Sequence, residues 1–284
     1  MRKFPAPGRG VAFDKLRQRL SSYEKILIPP PWNSIRQMGL LAPAIFPRTS
    51  TVVTIRSMNN HTAFIFDMDG TLVDNMAYHI QSWLALLAEQ GHTLTAADFH
   101  RHFSGKTNSE TLRELLGQEL TAAAIGNLSE RKEHHYRTLY RPHLQPIPGL
   151  IAFLDEATHL GVPMAVATAA GRRNIEFVLG ELALTRYFQA IVGADDVENG
   201  KPAPDLFLAA ADRLHVSPTQ CLVFEDAPAG IEAARRAGMN TAVVLTSLTA
   251  QAAHTSAHVI TAAPDYTGWQ PAHFMPLSQQ PFTR

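Results

Sequence analysis

The sequence predicts an α/β protein, a parallel sheet covered by helices on both faces with an all-helical domain inserted after the first strand. Three observations carry this. From residue 62 onward, short apolar runs ("AFIF", "VPMAVAT", "AIVGAD", "CLVFED", "TAVVLT") alternate with helical stretches, as buried strands joined by crossover helices do. Between the first two runs, residues 76–145 read almost wholly as helix. Polar residues gather at the ends of the apolar runs, not inside them.

Taken in order, residues 1–61 stand apart as a Pro/Arg-rich extension. "PAPGRG", "IPPPWN" and "LAPAIFPR" hold seven prolines, and only "AFDKLRQRLSSYEKILI" has a helical pattern. Residues 1–57 carry ten Lys/Arg against Asp14 and Glu24, a balance of +8. Because the whole chain is formally neutral, the remainder is −8, which weighs against nucleic acid as its main partner. Three readings stay open for this segment: a mobile basic tail, an organellar targeting sequence, or sequence upstream of a natural start near Met58. The triple proline at 29–31 suits an amphipathic presequence poorly, so a disordered tail or a start-site extension is expected.

The first strand, "AFIF" at 63–66, runs into Asp67, Asp69 and Asp74, with Gly70 and Thr71 between. Acids packed this closely repel one another, and a cation is the simplest compensation. Helices follow in "AYHIQSWLALLAEQG", "SETLRELLG" and "LSERKEHHYRTLY", until "PIPGL" at 146–150 returns the chain to the sheet. Later helices are "DLFLAAADRLHV" and "AGIEAARRAG", the second closed by Gly238. "HVITAAPDYTGW" reads as a last short strand and its exit. The domains are therefore a core at 62–75 and 146–269, a helical cap at 76–145, and a tail at 270–284.

At 284 residues and 45% hydrophobic, the chain buries one substantial core with room for a smaller second domain. Its 18% of charged residues is that of a folded protein. The single cysteine, Cys221, excludes an internal disulfide, fits a reducing compartment and reads as a buried thiol. No run of about 18 apolar residues offers a membrane span. The expectation is a cytoplasmic monomer acting on a small metabolite.

Ligands of an open parallel sheet bind at the carboxyl ends of its strands. There the first run delivers Asp67, "VPMAVAT" delivers Thr168, and "QCLVFED" delivers Glu225 and Asp226, while Lys201 in "GKPAPD" follows "AIVGADDV". Each piece alone has a bland reading as a cap, a solvated lysine or a helix start. Their joint arrival at one edge points to a site. Clustered carboxylates with few nitrogen or sulfur ligands suit Mg2+, and Lys201 and Thr168 add donors for phosphate oxygens. A nucleophilic carboxylate, a second carboxyl two residues on, a divalent metal and a lysine match phosphoryl transfer through an aspartyl-phosphate. Gly70 permits a tight turn that brings backbone N–H groups near the phosphoryl group.

With these segments in place, the chain resembles the haloacid dehalogenase superfamily over about 62–269: "FDMDGTLVD", Thr168 in "AVATAA", Lys201 in "GKPAPD" and Glu225-Asp226 in "VFEDAPAGIEAA" fall in the family's order. The resemblance implies a Rossmann-like core with a helical cap, as in β-phosphoglucomutase and small sugar-phosphate phosphatases. It implies that Asp67 attacks phosphorus and that Asp69 works as acid, then base. It further implies that Mg2+ is held by Asp67, the Asp69 carbonyl and Asp226, with Glu225 bound directly or one layer behind, and that Thr168 and Lys201 bind phosphoryl oxygens. Gly70, Ala169 and Ala170 are the implied substrate contacts in the core. His79 and Trp83, four apart on the first cap helix, and Gly105 and Lys106 in "HFSGKTNSETL" are the implied cap contacts, joined by Lys132. An acid at Asp69 sets the chain apart from dehalogenases and phosphonate-cleaving members. The mutase's flanking Lys and Arg correspond here to Ser104 and Asn108, which weakens a grip on a second phosphate and favours a phosphatase acting on a sugar or polyol phosphate of the fructose 1-phosphate type. A β-phosphoglucomutase is the alternative, and a non-enzymatic binding protein the third reading.

Overall fold

The computed structural model describes residues 61–103 and 107–276. The expectations for residues 1–60, for Ser104, Gly105 and Lys106, and for the last eight residues lie outside this range. The chain divides into two compact units, the smaller of which includes residues 106–125. Everything below concerns the larger unit unless stated.

Six strands form one parallel sheet: β1 (Ala63–Phe66), β2 (Met164–Ala167), β3 (Ala190–Val192), β4 (Cys221–Glu225), β5 (Asn240–Val244) and β6 (Val259–Ala263), ordered β3-β2-β1-β4-β5-β6. The expected strands are all present. β1 lies between β2 and β4, so the strand order reverses beside it, and the crevice where such a sheet binds its ligands opens there.

Period-2 alternation sorts the strand residues onto two unlike faces. Phe64, Phe66, Met164, Leu222 and Phe224 face one way, with Phe66 stacked on Phe224 at 4.5 Å between centroids. Phe153 of the helix Leu150–His159 packs against these rings. Ala63, Ile65, Ala165, Ala167, Cys221 and Val223 face the other way, and small side chains let the helices Asp205–Leu214 and Pro228–Arg236 sit close. Cys221 is buried, and burial pushes its thiol up to about 12, in line with an unreactive thiol.

The described residues between β1 and β2 are helical: α1 (Met76–Glu89), α2 (Ala96–Phe103), α3 (Asn108–Leu116) and α4 (Ala122–Tyr140), then α5 (Leu150–His159) under the sheet. His102 and Phe103 end α2, Thr107 is the N-cap of α3, and the expected helix "SETLRELLG" falls in α3 and its C-cap Gly117. In the smaller unit, Thr107 Oγ1 accepts the Glu110 N–H at 3.2 Å, and Glu110 Oε2 accepts the Thr107 N–H at 2.8 Å. That reciprocal pair is a capping box. The remaining helices are α6 (Arg172–Ile175), continued as a wider π turn over Glu176–Gly180, then α7 (Asp205–Leu214), α8 (Pro228–Arg236) and α9 (Ala250–Ala253). Among the described residues, no helix is long and apolar enough to cross a membrane.

Buried His61 ties three segments together. Its Nδ1 lies 3.1 Å from the Phe274 carbonyl and its Nε2 lies 3.0 Å from Asn240 Nδ2, which assigns the proton to Nδ1. Burial holds His61 below its usual 6.5, against the Phe274 bond that raises it. A group whose folded pKa is depressed contributes stability above its unfolded value and loses it as pH falls through the folded one. Urea unfolding of the wild type is therefore expected to show stability lost as pH falls from 6.5, and His61→Gln to show a smaller loss over the same interval.

Candidate active site

β1 runs on into Asp67, whose N–H donates to the Phe224 carbonyl at 3.0 Å, and β4 ends in Glu225 and Asp226. Neighbouring strands thus bring three carboxylates to one end of the sheet. One oxygen each from Asp67, Glu225 and Asp226 lies within 4.8 Å of the others, and all three residues are buried. Lys201, from the connection between β3 and α7, reaches between them. Its Nζ donates to Asp67 Oδ1 at 2.5 Å and to Glu225 Oε1 at 2.8 Å. The Lys201 ammonium also sits 4.8 Å over the Phe207 ring.

Glu225 is fully engaged. Its Oε2 accepts the N–H groups of Asp226 and Ala227, both at 2.7 Å, so this carboxylate anchors Lys201 and organises the turn into α8. Asp226 Oδ2 accepts from Ser247 Oγ and lies 3.4 Å from Thr246 Oγ1. Thr246 also donates to the Gly70 carbonyl at 2.5 Å. Gly70 has φ +87°, and a Cβ there would lie 2.1 Å from Asp226 Oδ2. Its own N–H donates to the Val73 carbonyl at 2.7 Å. Gly70 thus makes the tight turn in the left-handed region and leaves room for Asp226.

Burial pushes the Asp67 carboxyl up to about 7, with Lys201 pulling it down and the Glu225 and Asp69 charges pushing it up. Burial likewise raises Asp226, with Glu225 and Asp67 adding to it. Burial alone would lower Lys201, yet Asp67 and Glu225 hold its ammonium above the usual value. Three carboxylates against one ammonium leave a surplus of negative charge lined by oxygen donors. That donor set fits a hard divalent cation such as Mg2+.

Thr168 follows β2 and is buried, its Oγ1 accepting the Ala170 N–H at 3.0 Å. Ala169, beside it, is exposed. Asp69 Oδ1 accepts from Asn75 Nδ2 at 2.6 Å and lies 3.8 Å from His79 Nε2. Burial pushes Asp69 up, but His79 and Asn75 outweigh it and hold the carboxyl below its usual range, with the Glu133 charge opposing them. Asn75 also bonds the Tyr136 hydroxyl at 2.7 Å, and His79 stacks on the Tyr136 ring at 3.9 Å. Lys132 Nζ sits 2.8 Å from His79 Nδ1 and donates to Glu133 Oε1 at 3.0 Å.

The structure therefore brings Asp67, Asp69, Thr168, Lys201, Glu225 and Asp226 to one end of the sheet, with His79 beside Asp69 and Lys132 on the far side of His79. Trp83 is placed differently: it is buried against Phe99 at 5.7 Å, with Lys132 over its ring. Sequence reasoning missed Thr246 and Ser247, although "TAVVLTS" ends a strand just as the other segments do. It also missed Asn75, Tyr136 and Gly230. A Cβ at Gly230 would lie 1.6 Å from Glu225 Oε1, so that helical glycine exists to seat the carboxylate holding Lys201.

Two helical glycines are accordingly expected to behave oppositely in urea unfolding. Gly230→Ala should destabilise by about 1–3 kcal/mol, the range for overpacking. Gly126→Ala, in α4 with nothing within 4 Å of its added Cβ, should stabilise by about 0.5–1 kcal/mol.

Over 182 residues the chain is 36% identical to the fructose-1-phosphate phosphatase YqaB of Escherichia coli (strain K12), covering 63% of this chain and 94% of that protein. Over 185 residues it is 36% identical to the beta-phosphoglucomutase of Bacillus subtilis (strain 168), covering 62% and 80%. Among solved structures, the family IA, variant 3 HAD hydrolase of Entamoeba histolytica superposes with a TM-score of 0.70 at 26% identity, covering 75% of this chain and 96% of that one. Residues 64–244 match the haloacid dehalogenase-like hydrolase family, and the chain belongs to that family of enzymes.

Proposed function

We propose that this hydrolase is an Mg2+-dependent phosphatase of small sugar or polyol phosphates, working through an aspartyl-phosphate on Asp67. The observation that carries the reading is the pairing of a buried carboxylate with an ammonium. Lys201 lies 2.5 Å from Asp67 Oδ1, and Thr168 directly follows the adjacent strand. Similarity to a fructose-1-phosphate phosphatase supports the substrate class.

Asp67, Asp226 and the Asp69 carbonyl would hold the metal, with Glu225 behind them binding Lys201. When bound, Mg2+ supplies positive charge that offsets the clustered acids and the charge of the transferring phosphoryl group. Asp67 attacks phosphorus as the P–O ester bond breaks, and the departing sugar oxygen takes a proton from Asp69. Asp69, now a carboxylate, removes a proton from a water molecule, whose oxygen attacks the aspartyl-phosphate. Phosphate leaves and Asp67 is restored. Lys201 and Thr168 hold the phosphoryl oxygens, and Asn75 orients Asp69. The resting site keeps Asp69 below its usual range, which suits the base half of the cycle. A phosphoryl dianion arriving beside it raises its proton affinity for the acid half.

The beta-phosphoglucomutase matches the chain at the same 36% identity, over 80% of its length against 94% for the phosphatase, and assay divides the two readings. With β-glucose 1-phosphate and a trace of its 1,6-bisphosphate, the phosphatase reading expects free phosphate. Rapid glucose 6-phosphate formation with little free phosphate would replace it by the mutase.

Asp67→Asn is expected to lower turnover by about 10^4-fold or more while leaving the melting temperature unchanged or higher, since a near-isosteric amide relieves repulsion. Asp69→Asn should cost about 10^2–10^4-fold on an alkyl phosphate and less on p-nitrophenyl phosphate, whose leaving group departs without a proton. Chelation by EDTA should abolish phosphate release, and added Mg2+ should restore it.

A further inference from the structure

We propose that Thr246 and Ser247, the two hydroxyls that follow β5, are positioning residues of the metal centre. They aim two of the three groups assigned to the cation, the Asp226 carboxylate and the turn that carries the Asp69 carbonyl, and so set how tightly the site takes Mg2+. The inference rests on the Mg2+-dependent phosphatase reading and adds the residues that govern its metal affinity.

Asp226 is the clustered carboxylate most in need of an anchor. Lys201 forms its ion pairs with Asp67 and Glu225, and Asp226 stands outside them while both neighbouring acids repel it. Its side-chain donors among the described residues are hydroxyls. Ser247 Oγ donates to Oδ2, and Thr246 Oγ1 lies 3.4 Å from the same oxygen. Oδ2 also faces the Gly70 backbone, since an added Cβ there would lie 2.1 Å from Oδ2 and 3.0 Å from Oδ1. One oxygen is thus fixed between a hydroxyl and a turn, which leaves Oδ1 for the cation.

Thr246 acts on the second group. Its hydroxyl proton goes to the nearer of two acceptors, the Gly70 carbonyl at 2.5 Å. The Gly70 N–H donates to the Val73 carbonyl at 2.7 Å. A trans peptide is planar, so its N–H and C=O point opposite ways, and this bond fixes the direction of the Asp69 carbonyl. The next peptide is held as well, by Thr246 on its carbonyl and by the Met68 carbonyl, 3.2 Å from the Thr71 nitrogen. Gly70, at φ +87°, would otherwise be the freest point of the turn. A single strand end, two and three residues past Val244, therefore braces the exits of both β1 and β4. Partners that orient metal ligands typically carry about 10–100-fold in metal affinity.

The test is titration calorimetry with MgCl2 on the full chain without substrate, a readout that does not pass through turnover. Ser247→Ala and Thr246→Val should each raise the Kd for Mg2+ by about tenfold or more. Ser247→Thr and Thr246→Ser keep the hydroxyl and should stay within about threefold of wild type. Melting in EDTA checks that each variant is folded, and Thr246→Ala replaces Thr246→Val if the latter is not. A Kd within about twofold of wild type for either hydroxyl-free variant, against the expected loss, would overturn this inference and leave the phosphatase reading standing. Hydroxyl-retaining variants as weak as the hydroxyl-free ones would overturn it too, because side-chain bulk and not the hydrogen bond would then set the affinity. Wild-type protein that takes up no Mg2+ would overturn the Mg2+ assignment and this inference with it.

Discussion

The Lys201 ammonium between Asp67 and Glu225 is the contact on which the site depends. Three carboxylates within 4.8 Å of one another would not stay ionised in a dry interior without a positive charge among them. Removing that ammonium leaves the buried carboxylates uncompensated, at a cost of about 3–5 kcal/mol. The protein builds this arrangement from covalently distant parts: Lys201 is 134 residues from Asp67 and 24 from Glu225. Only the completed sheet, with β1 and β4 adjacent, brings them together.

Support for the ionic group extends outward in layers. Glu225 is pinned by two backbone N–H groups at the start of α8, and Gly230 leaves the space it occupies. Asp226 is held by hydroxyls from the end of β5, one of which also bonds the Gly70 carbonyl. The strand ends therefore brace one another sideways through side chains, in addition to the backbone ladder. A carboxylate fixed in this way does not have to reorganise when charge develops near it.

Much of this was legible in the sequence because a fully buried parallel strand is apolar along its length. The first polar residue after each run marks its exit, and the rule located Asp67, Thr168 and Glu225-Asp226. Thr246 and Ser247 obey the same rule, but hydroxyls after a strand read as an ordinary turn. The reason for Gly230 is a missing atom, visible only once Glu225 has a position. Asn75 and Tyr136 are 61 residues apart, and no periodicity links them. Phe99 and Phe103 of α2 are both buried, a packing that the general reading of 76–145 as helix did not single out.

The unequal faces of the sheet give the core a lopsided tolerance to substitution. On the aromatic side, trimming Phe64, Phe153 or Phe224 opens a void, and neighbouring rings can relax only partly into it. On the alanine side there is little to trim, and the danger is enlargement. A bulkier residue at Ala165 or Ala167 would wedge α7 away from the strands. Since Phe207 of that helix lies under the Lys201 ammonium, such a wedge would shift the charge at the centre of the site. Random variation in the two faces should thus do different damage: losses on one weaken the fold, while gains on the other dislocate the chemistry.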